Sequence, residues 1–186
     1  MDMDVKIVFL GPTGVGKTTA IRSIATKPTV STEAPWTGAD GDKTTTTVAL
    51  DYGERPFEEG GKLRLYGVPG QARFRFLWES TCLGALGVIL LADSRVLHEE
   101  EAAAELCSIL AALPLEMPSV VGVTHCDLTD GFKPEGLLGA FARHGIRVPV
   151  TCVDARETED VLALVDTLLT VRESITSDDV QPASFA

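Results

Sequence analysis

The run GPTGVGKT, from Gly11 to Thr18, matches the spacing G-x-x-x-x-G-K-[ST] in full. Each residue type in that pattern serves the holding of phosphate. Glycines let successive backbone N–H groups turn inward as a nest, a lysine ammonium reaches the outer phosphates, and a threonine hydroxyl is a hard oxygen ligand for magnesium. The phosphate-binding set read here is Gly11, Gly14, Val15, Gly16, Lys17, Thr18 and Thr19, with Thr18 also a metal ligand. A second short run, VPGQ from Val68 to Gln71, has the form that follows a strand beside a terminal phosphate. Gly70 would bring its N–H to that phosphate, and Gln71 would orient an attacking water, so Gln71 and Lys17 are the catalytic candidates. One carboxylate is missing. The position before Val-Pro-Gly, where an aspartate commonly steadies magnesium, is Gly67.

Such a cradle works only where a strand ends and a helix begins. Apolar runs of strand length occur at Val5–Leu10, Val48–Tyr52, Leu63–Val68, Ala85–Ala92, Val120–Thr124 and Val148–Val153. Segments of helical period lie between most of them: GKTTAIRSIAT begins at the glycine loop, and EEEAAAELCSILAAL puts Ala103, Leu106, Ile109, Leu110 and Leu113 on one face. EGLLGAFARHG ends on a glycine cap, and ETEDVLALVDTLLTVRES has acids in its first turn and an apolar face at Val161, Leu164, Val165, Leu168 and Leu169. Strands alternating with helices predict an α/β fold with a mostly parallel sheet covered on both faces. Between Thr47 and Val68 no helix is expected, only a hairpin through Gly60 and Gly61, which implies one antiparallel edge strand. The sheet then has six strands. The stretch Lys27–Thr46 is too long for a passive connection and reads as a functional or mobile loop.

The 186 residues, 45% hydrophobic and 23% charged, suit one globular domain. That domain is expected over residues 1–175, with 176–186 a disordered tail. A net charge of −11 repels nucleic acid and acidic membranes, so neither is expected as a direct partner. No run is long and apolar enough for membrane insertion, and the acidic start reads as a first strand rather than a signal peptide. A cytoplasmic protein is expected, recruited to any membrane complex only through a partner. Cys82, Cys107, Cys126 and Cys152 are scattered, and read as reduced buried thiols; His98, His125 and His144 show no ligand spacing.

The segments GPTGVGKTT, KTTTTVALDYG, LYGVPGQARF, LLADSR, THCDL and VDAR, in this order between Val5 and Ser174, resemble the small Ras-like GTPases. Among these they resemble the bacterial gliding-motility (MglA-like) type and the related predicted GTPases found beside roadblock proteins. The resemblance implies a P-loop G domain that binds GTP and GDP with Mg2+ and acts as a molecular switch with slow intrinsic hydrolysis. In it Thr47, with Thr46 as rival, is the switch threonine that ligates magnesium in the triphosphate state. Asp127 reads guanine by accepting from N1–H and the exocyclic amine, Thr124 and His125 stand where the family has Asn and Lys, and Ala155, between Asp154 and Arg156, offers its N–H to guanine O6. Lys27–Thr47 and Gly67–Glu79 become the switch segments, and a roadblock-type protein the expected partner. A non-hydrolysing binding module and, less favoured, a P-loop ATPase or kinase are the alternatives.

Other residues stay open at this stage. Asp51 and Asp93 could orient metal-bound waters, although a strand-end cap or loop hydrogen bond is the plainer reading of each. Arg73 and Arg75 could meet phosphate, a partner or solvent. Phe74, Phe76 and Trp78 could be surface or core anchors, and Trp36 in a polar loop could mark a docking surface.

Overall fold

Strand β1 (Val5–Gly11) shows why both faces of the sheet must be covered. Ile7 and Phe9 point to one side, Val8 and Leu10 to the other, and all four are fully buried. The computed structural model describes residues 4–27, 30–36, 46–97, 100–114 and 116–178, and their side chains except at 30–36, 46–49, 100 and 178. In chain order follow α1 (Lys17–Ile24), β2 (Val30–Trp36), β3 (Thr46–Pro56), β4 (Lys62–Pro69), α2 (Arg75–Cys82), β5 (Gly87–Asp93), α3 (Glu100–Ala112), β6 (Ser119–Thr124), α4 (Pro134–Arg143), β7 (Val150–Cys152) and α5 (Thr158–Asp178).

The sheet runs β2-β3-β4-β1-β5-β6-β7. Strand β1 is parallel to β4 and β5, and β5–β6 and β6–β7 are parallel too, while β3 is antiparallel to both neighbours. Helices α1 and α5 pack Ile21, Ile24, Val161, Leu164 and Leu168 onto the Ile7 face. Helices α2, α3 and α4 pack Trp78, Leu106, Ile109, Leu137 and Phe141 onto the Val8 face. Burying side chains of this size stabilises each layer by roughly 1.5–3 kcal/mol per residue before entropy is counted. The apolar stripes expected on α3 and α5 are the ones that face the sheet.

All six expected strands form, and a seventh adds to them. Strand β2 arises inside the stretch read as a loop, pairing from Val30↔Tyr52 to Trp36↔Thr46. Its Thr, Pro and Glu residues carry no apolar alternation, and what makes a strand there is the open main-chain edge of β3. The antiparallel strand is therefore one place in from the edge. Strand β3 spans 11 residues and hands over from one partner to the other, with Asp51 opposite Ser31 on one side and Gly67 on the other. The Gly60–Gly61 hairpin forms as expected, both glycines at positive φ, with the Phe57 N–H donating to the Gly61 carbonyl at 3.1 Å. Helix α2 begins inside the Gly67–Glu79 segment expected to be a switch. Helix α5 continues three residues past the expected boundary at 175, and residues 179–186 lie outside the described residues. Among the described residues no helix is long and apolar enough to cross a membrane.

Candidate functional site

The glycine loop joins β1 to α1, at the carboxyl end of the central strand. Gly16 is left-handed (φ 103°) and caps α1, its carbonyl accepting the Ala20 N–H at 2.8 Å. With Gly14 also at positive φ, the backbone turns as a phosphate nest requires. Lys17 folds back over the loop, donating from Nζ to the Gly11 and Pro12 carbonyls at 2.8 and 2.7 Å. Burial pushes its ammonium down to about 8, with the nearby Asp51 charge pulling the other way. A half-buried cation whose hydrogen bonds, among the described residues, go to carbonyls is a ready partner for an anion.

The expected catalytic segment lies against this loop. Gly70 donates its N–H to the Gly11 carbonyl at 2.8 Å, so in this arrangement that N–H faces the glycine loop itself. Gln71 donates from Nε2 to Thr13 Oγ1 at 3.0 Å, bringing its amide to the mouth of the cradle. Trp78 Nε1 donates to the Pro69 carbonyl at 2.8 Å and anchors the segment from below. The aromatic residues divide: Phe74 and Trp78 are buried anchors, whereas Phe76 is 38% exposed beside the exposed Arg73 and Arg75.

Thr18, in the first turn of α1, donates from Oγ1 to Asp51 Oδ2 at 2.5 Å. A hydroxyl and a carboxylate are the hard oxygen donors that magnesium takes, and they stand together beside the phosphate nest. The residues present fit that ion. Among the described residues no group of three or more His, Cys, Asp or Glu could hold a metal. Asp93, the other candidate, is engaged elsewhere. Its oxygens accept from Arg95 Nε and an Arg95 terminal nitrogen at 2.9 and 2.6 Å, and His125 Nδ1 is 3.4 Å away. The hydrogen bond from Arg95 leads the effects that hold its carboxyl below the ordinary value. Thr46 and Thr47 lie in β3 opposite Trp36 and Pro35, but the side chains of Thr47, Thr46 and Trp36 fall outside the described residues, as does His98.

At the base end, β6 finishes at Thr124, which is 2% exposed. Its Oγ1 lies 3.0 Å from the Val15 carbonyl and 3.1 Å from the Ala92 carbonyl, and its single proton serves one of them at a time. Thr124 thus ties this loop to the glycine loop. His125 follows in the left-handed region (φ 59°), a conformation uncommon for a non-glycine residue, and turns the chain so that Asp127 stands in the next short helical turn. From β7 the loop of Asp154, Ala155 and Arg156 arrives beside it, its Asp154 N–H held by Asp160 Oδ2 at 2.8 Å. Ala155 packs against Gly16, where an added Cβ would come within 3.1 Å of its own. Arg156 chelates Asp154 and reaches Asp127 Oδ2 at 3.4 Å. The hydrogen bond from Arg156 holds the Asp154 carboxyl down to about 2. A cleft of about 280 Å³ results, lined by Gly14, Gly16, Thr19, Thr124, Asp127 and Ala155 among others.

Every base-site residue read from the sequence reaches this one cleft. Leu128, 63% exposed at its rim, was missed because a lone leucine after an aspartate carries no signal. Two of the four cysteines are not buried as expected. Cys82 and Cys107 are buried, but Cys126 and Cys152, far apart in sequence, meet with their sulfurs 2.6 Å apart behind the two base loops, Cys152 being exposed. Burial first, then its Cys152 neighbour, pushes the Cys126 thiol up to about 12.

A family model described as "conserved hypothetical ATP binding protein" matches residues 37–176, more than half of the chain. The chain belongs to this family. The matched part begins after the glycine loop and takes in Asp51, Gln71, Asp127 and Ala155. Two curated relatives are similar over about half of the chain: the Ras-related protein RABC2a of Arabidopsis thaliana, 33% identical over 95 residues, and an uncharacterized protein of Methanocaldococcus jannaschii, 34% identical over 91. The matches span 50% and 49% of this chain and 40% and 52% of those proteins. Among solved structures, the G domain of the T. maritima FeoB iron transporter superposes with a TM-score of 0.61 at 21% identity, covering 91% of this chain and 99% of that one. A bacterial selenocysteine-specific elongation factor superposes at 0.60 and 16%, covering 94% and 29%. The fold is that of a Ras-like G domain, a P-loop α/β sheet with flanking helices.

Proposed function

We propose that this chain is a guanine-nucleotide switch that binds GTP and GDP and hydrolyses GTP slowly. The observation that supports it is the convergence of Asp127 and the Asp154–Arg156 loop on a cleft continuous with the glycine loop. Entry of guanine would exchange the Asp127–Arg156 contact at 3.4 Å for bonds from N1–H and the exocyclic amine. Adenine has no such donor pair. Magnesium, when bound, neutralises charge on the outer phosphates. Lys17 would leave the Gly11 and Pro12 carbonyls for those oxygens, and Gln71 would hold a water in line. The water oxygen attacks the γ-phosphorus, the bond to the β–γ bridging oxygen breaks, and the water proton ends on the released phosphate.

Segments 27–47 and 67–79 would be the parts that change with the nucleotide, Thr47 supplying the triphosphate-state ligand. The exposed Arg73, Arg75 and Phe76 give a roadblock-type partner a surface to dock on, in the cytoplasm or at a membrane complex that such a partner reaches. The family description favours a second reading, an ATPase on the same cradle.

Nucleotide titration separates the two. GDP and GTP should bind at least about tenfold tighter than ADP and ATP, and Asp127→Asn should move the preference toward xanthine nucleotides, whose 2-oxo group needs a donor. Equal affinity for ATP and GTP removes the guanine assignment. In single-turnover assays Gln71→Leu should bind GTP yet hydrolyse it at least about tenfold more slowly. Turnover absent in both proteins, with and without candidate partners, would favour a non-hydrolysing binding module. Capture of a roadblock-type protein with a GTP analogue but not with GDP tests the partner.

A further inference from the structure

The missing carboxylate at Gly67 and the short bond between Thr18 and Asp51 have one explanation. In the β3–β4 pairing Gly67 stands directly opposite Asp51. Directly opposed residues project to the same side of a sheet, so their side chains share one space. Here that space is already filled. A Cβ added to Gly67 would lie 3.0 Å from Asp51 Cβ, 3.1 Å from Asp51 Oδ2 and 3.0 Å from Ile21 Cδ1. An aspartate at 67 would have to enter the volume that the Asp51 side chain occupies.

We infer that Asp51, reaching across from β3, is the positioning carboxylate for magnesium that would otherwise project from β4 at residue 67. It is 8% exposed, and its Oδ2 accepts the Thr18 proton. With that proton turned toward Asp51, the Thr18 oxygen has lone pairs left for an ion on its other side. The second carboxylate oxygen can accept from waters that the ion retains, and magnesium usually retains several. The glycine at 67 is then the steric complement of Asp51, since any side chain there would push Asp51 off Thr18. Because β3 also carries Thr46 and Thr47, a few residues upstream, the ion-positioning carboxylate and the candidate switch threonine belong to one strand. In this chain, any movement of β3 displaces both together.

The proposal rests on the nucleotide site described above, and exchanging the two residues tests it. The measured quantity is the magnesium concentration at which release of a fluorescent GDP analogue is half-slowed, for wild type, Asp51→Asn, Gly67→Asp and the double variant Asp51→Gly/Gly67→Asp. Loss of an outer carboxylate that orients metal ligands should raise the midpoint by about 10- to 100-fold in Asp51→Asn. Gly67→Asp alone, with two side chains in one space, should not lower it. The double variant should return the midpoint to within about threefold of wild type, which a merely structural role for Asp51 would not bring about. An Asp51→Asn midpoint within about twofold of wild type in folded protein overturns the proposal, as does a folded double variant that fails to recover. If Asp51→Asn does not fold, the double variant decides by the same criterion. The series is repeated with the ADP analogue. If wild type prefers ADP, the guanine reading fails while the midpoints still judge Asp51; if it binds neither nucleotide, both fall.

Discussion

The two ends of the cleft are built from different material. At the end proposed for phosphate the groups on offer are backbone N–H groups, and the side chains beside them, Lys17 and Thr18, are consecutive in sequence. At the end proposed for the base they are, apart from the Ala155 N–H, side chains set on separate loops, Thr124 to Asp127 and Asp154 to Arg156. Backbone sites tolerate little change, because a Cβ enters the space that the chain itself needs. Side-chain sites tolerate exchange, because another residue can make the same bond. Thr124, which stands where the small Ras-like GTPases that this sequence resembles have asparagine, illustrates the second case, since its hydroxyl reaches the Val15 carbonyl. The Asp51–Gly67 pair belongs to both: a side chain is exchanged for one on the next strand, and a glycine must then remain opposite.

If that contrast holds, the largest effect of the following substitutions should come from Gly11→Ala. An added Cβ would lie 2.4 Å from the Leu91 carbonyl oxygen, at φ +146°. Loss of at least about 2 kcal/mol is expected in chemical denaturation, from backbone strain plus the required shift of β5. Gly14, at φ +82° with nothing within 4 Å, should cost only the left-handed strain of about 1–2 kcal/mol on substitution by alanine. Equal losses at the two glycines would break the argument that close approach, and not conformation alone, makes this end intolerant.

Thr124→Val comes next. It keeps shape and removes the proton that reaches Val15 or Ala92, leaving buried carbonyls short of a donor at a cost of about 1–3 kcal/mol. GDP affinity should fall by about tenfold, since the base loop loses its tie to the glycine loop. Thr124→Asn should stay within about threefold of wild type in the same titration, because its amide can donate to the same carbonyl. A valine variant that binds as wild type would show that the tie contributes nothing to the nucleotide site.

The smallest effect is expected at Glu54, which braces β3. Its carboxylate accepts from Lys62 at 2.7 Å and Lys27 at 3.1 Å and from the Tyr52 hydroxyl. These bonds, Lys62 first, then Tyr52 and Lys27, hold its carboxyl down from 4.5 to about 2. A depressed carboxyl contributes stability that is present above the unfolded value and lost as pH falls through the folded one. Melting temperature should therefore decline between pH 4.5 and about 2, with a shallower decline in Glu54→Gln. Identical acid limbs for the two proteins would remove Glu54 from the account of what holds the Asp51 strand.

Much of this protein can be read from its residues in order. The glycine loop, the strand–helix alternation and the apolar faces of α3 and α5 all depend on neighbours within one element, where a period or a short motif carries the information. The base loops were legible as short motifs as well, and they do reach one cleft. Tertiary structure alone decided the contacts between distant positions. Asp51 reaches Thr18 across 33 residues, Thr124 reaches Val15 across 109, and Cys126 meets Cys152 across 26. Strand β2 formed because β3 offered it an edge, not because its own residues alternate. No local pattern encodes such pairs, since each is set by strand register and by which elements lie side by side in the sheet. That is why Gly67 by itself reads as a lost ligand, while beside Asp51 it reads as the space that a ligand on the next strand requires.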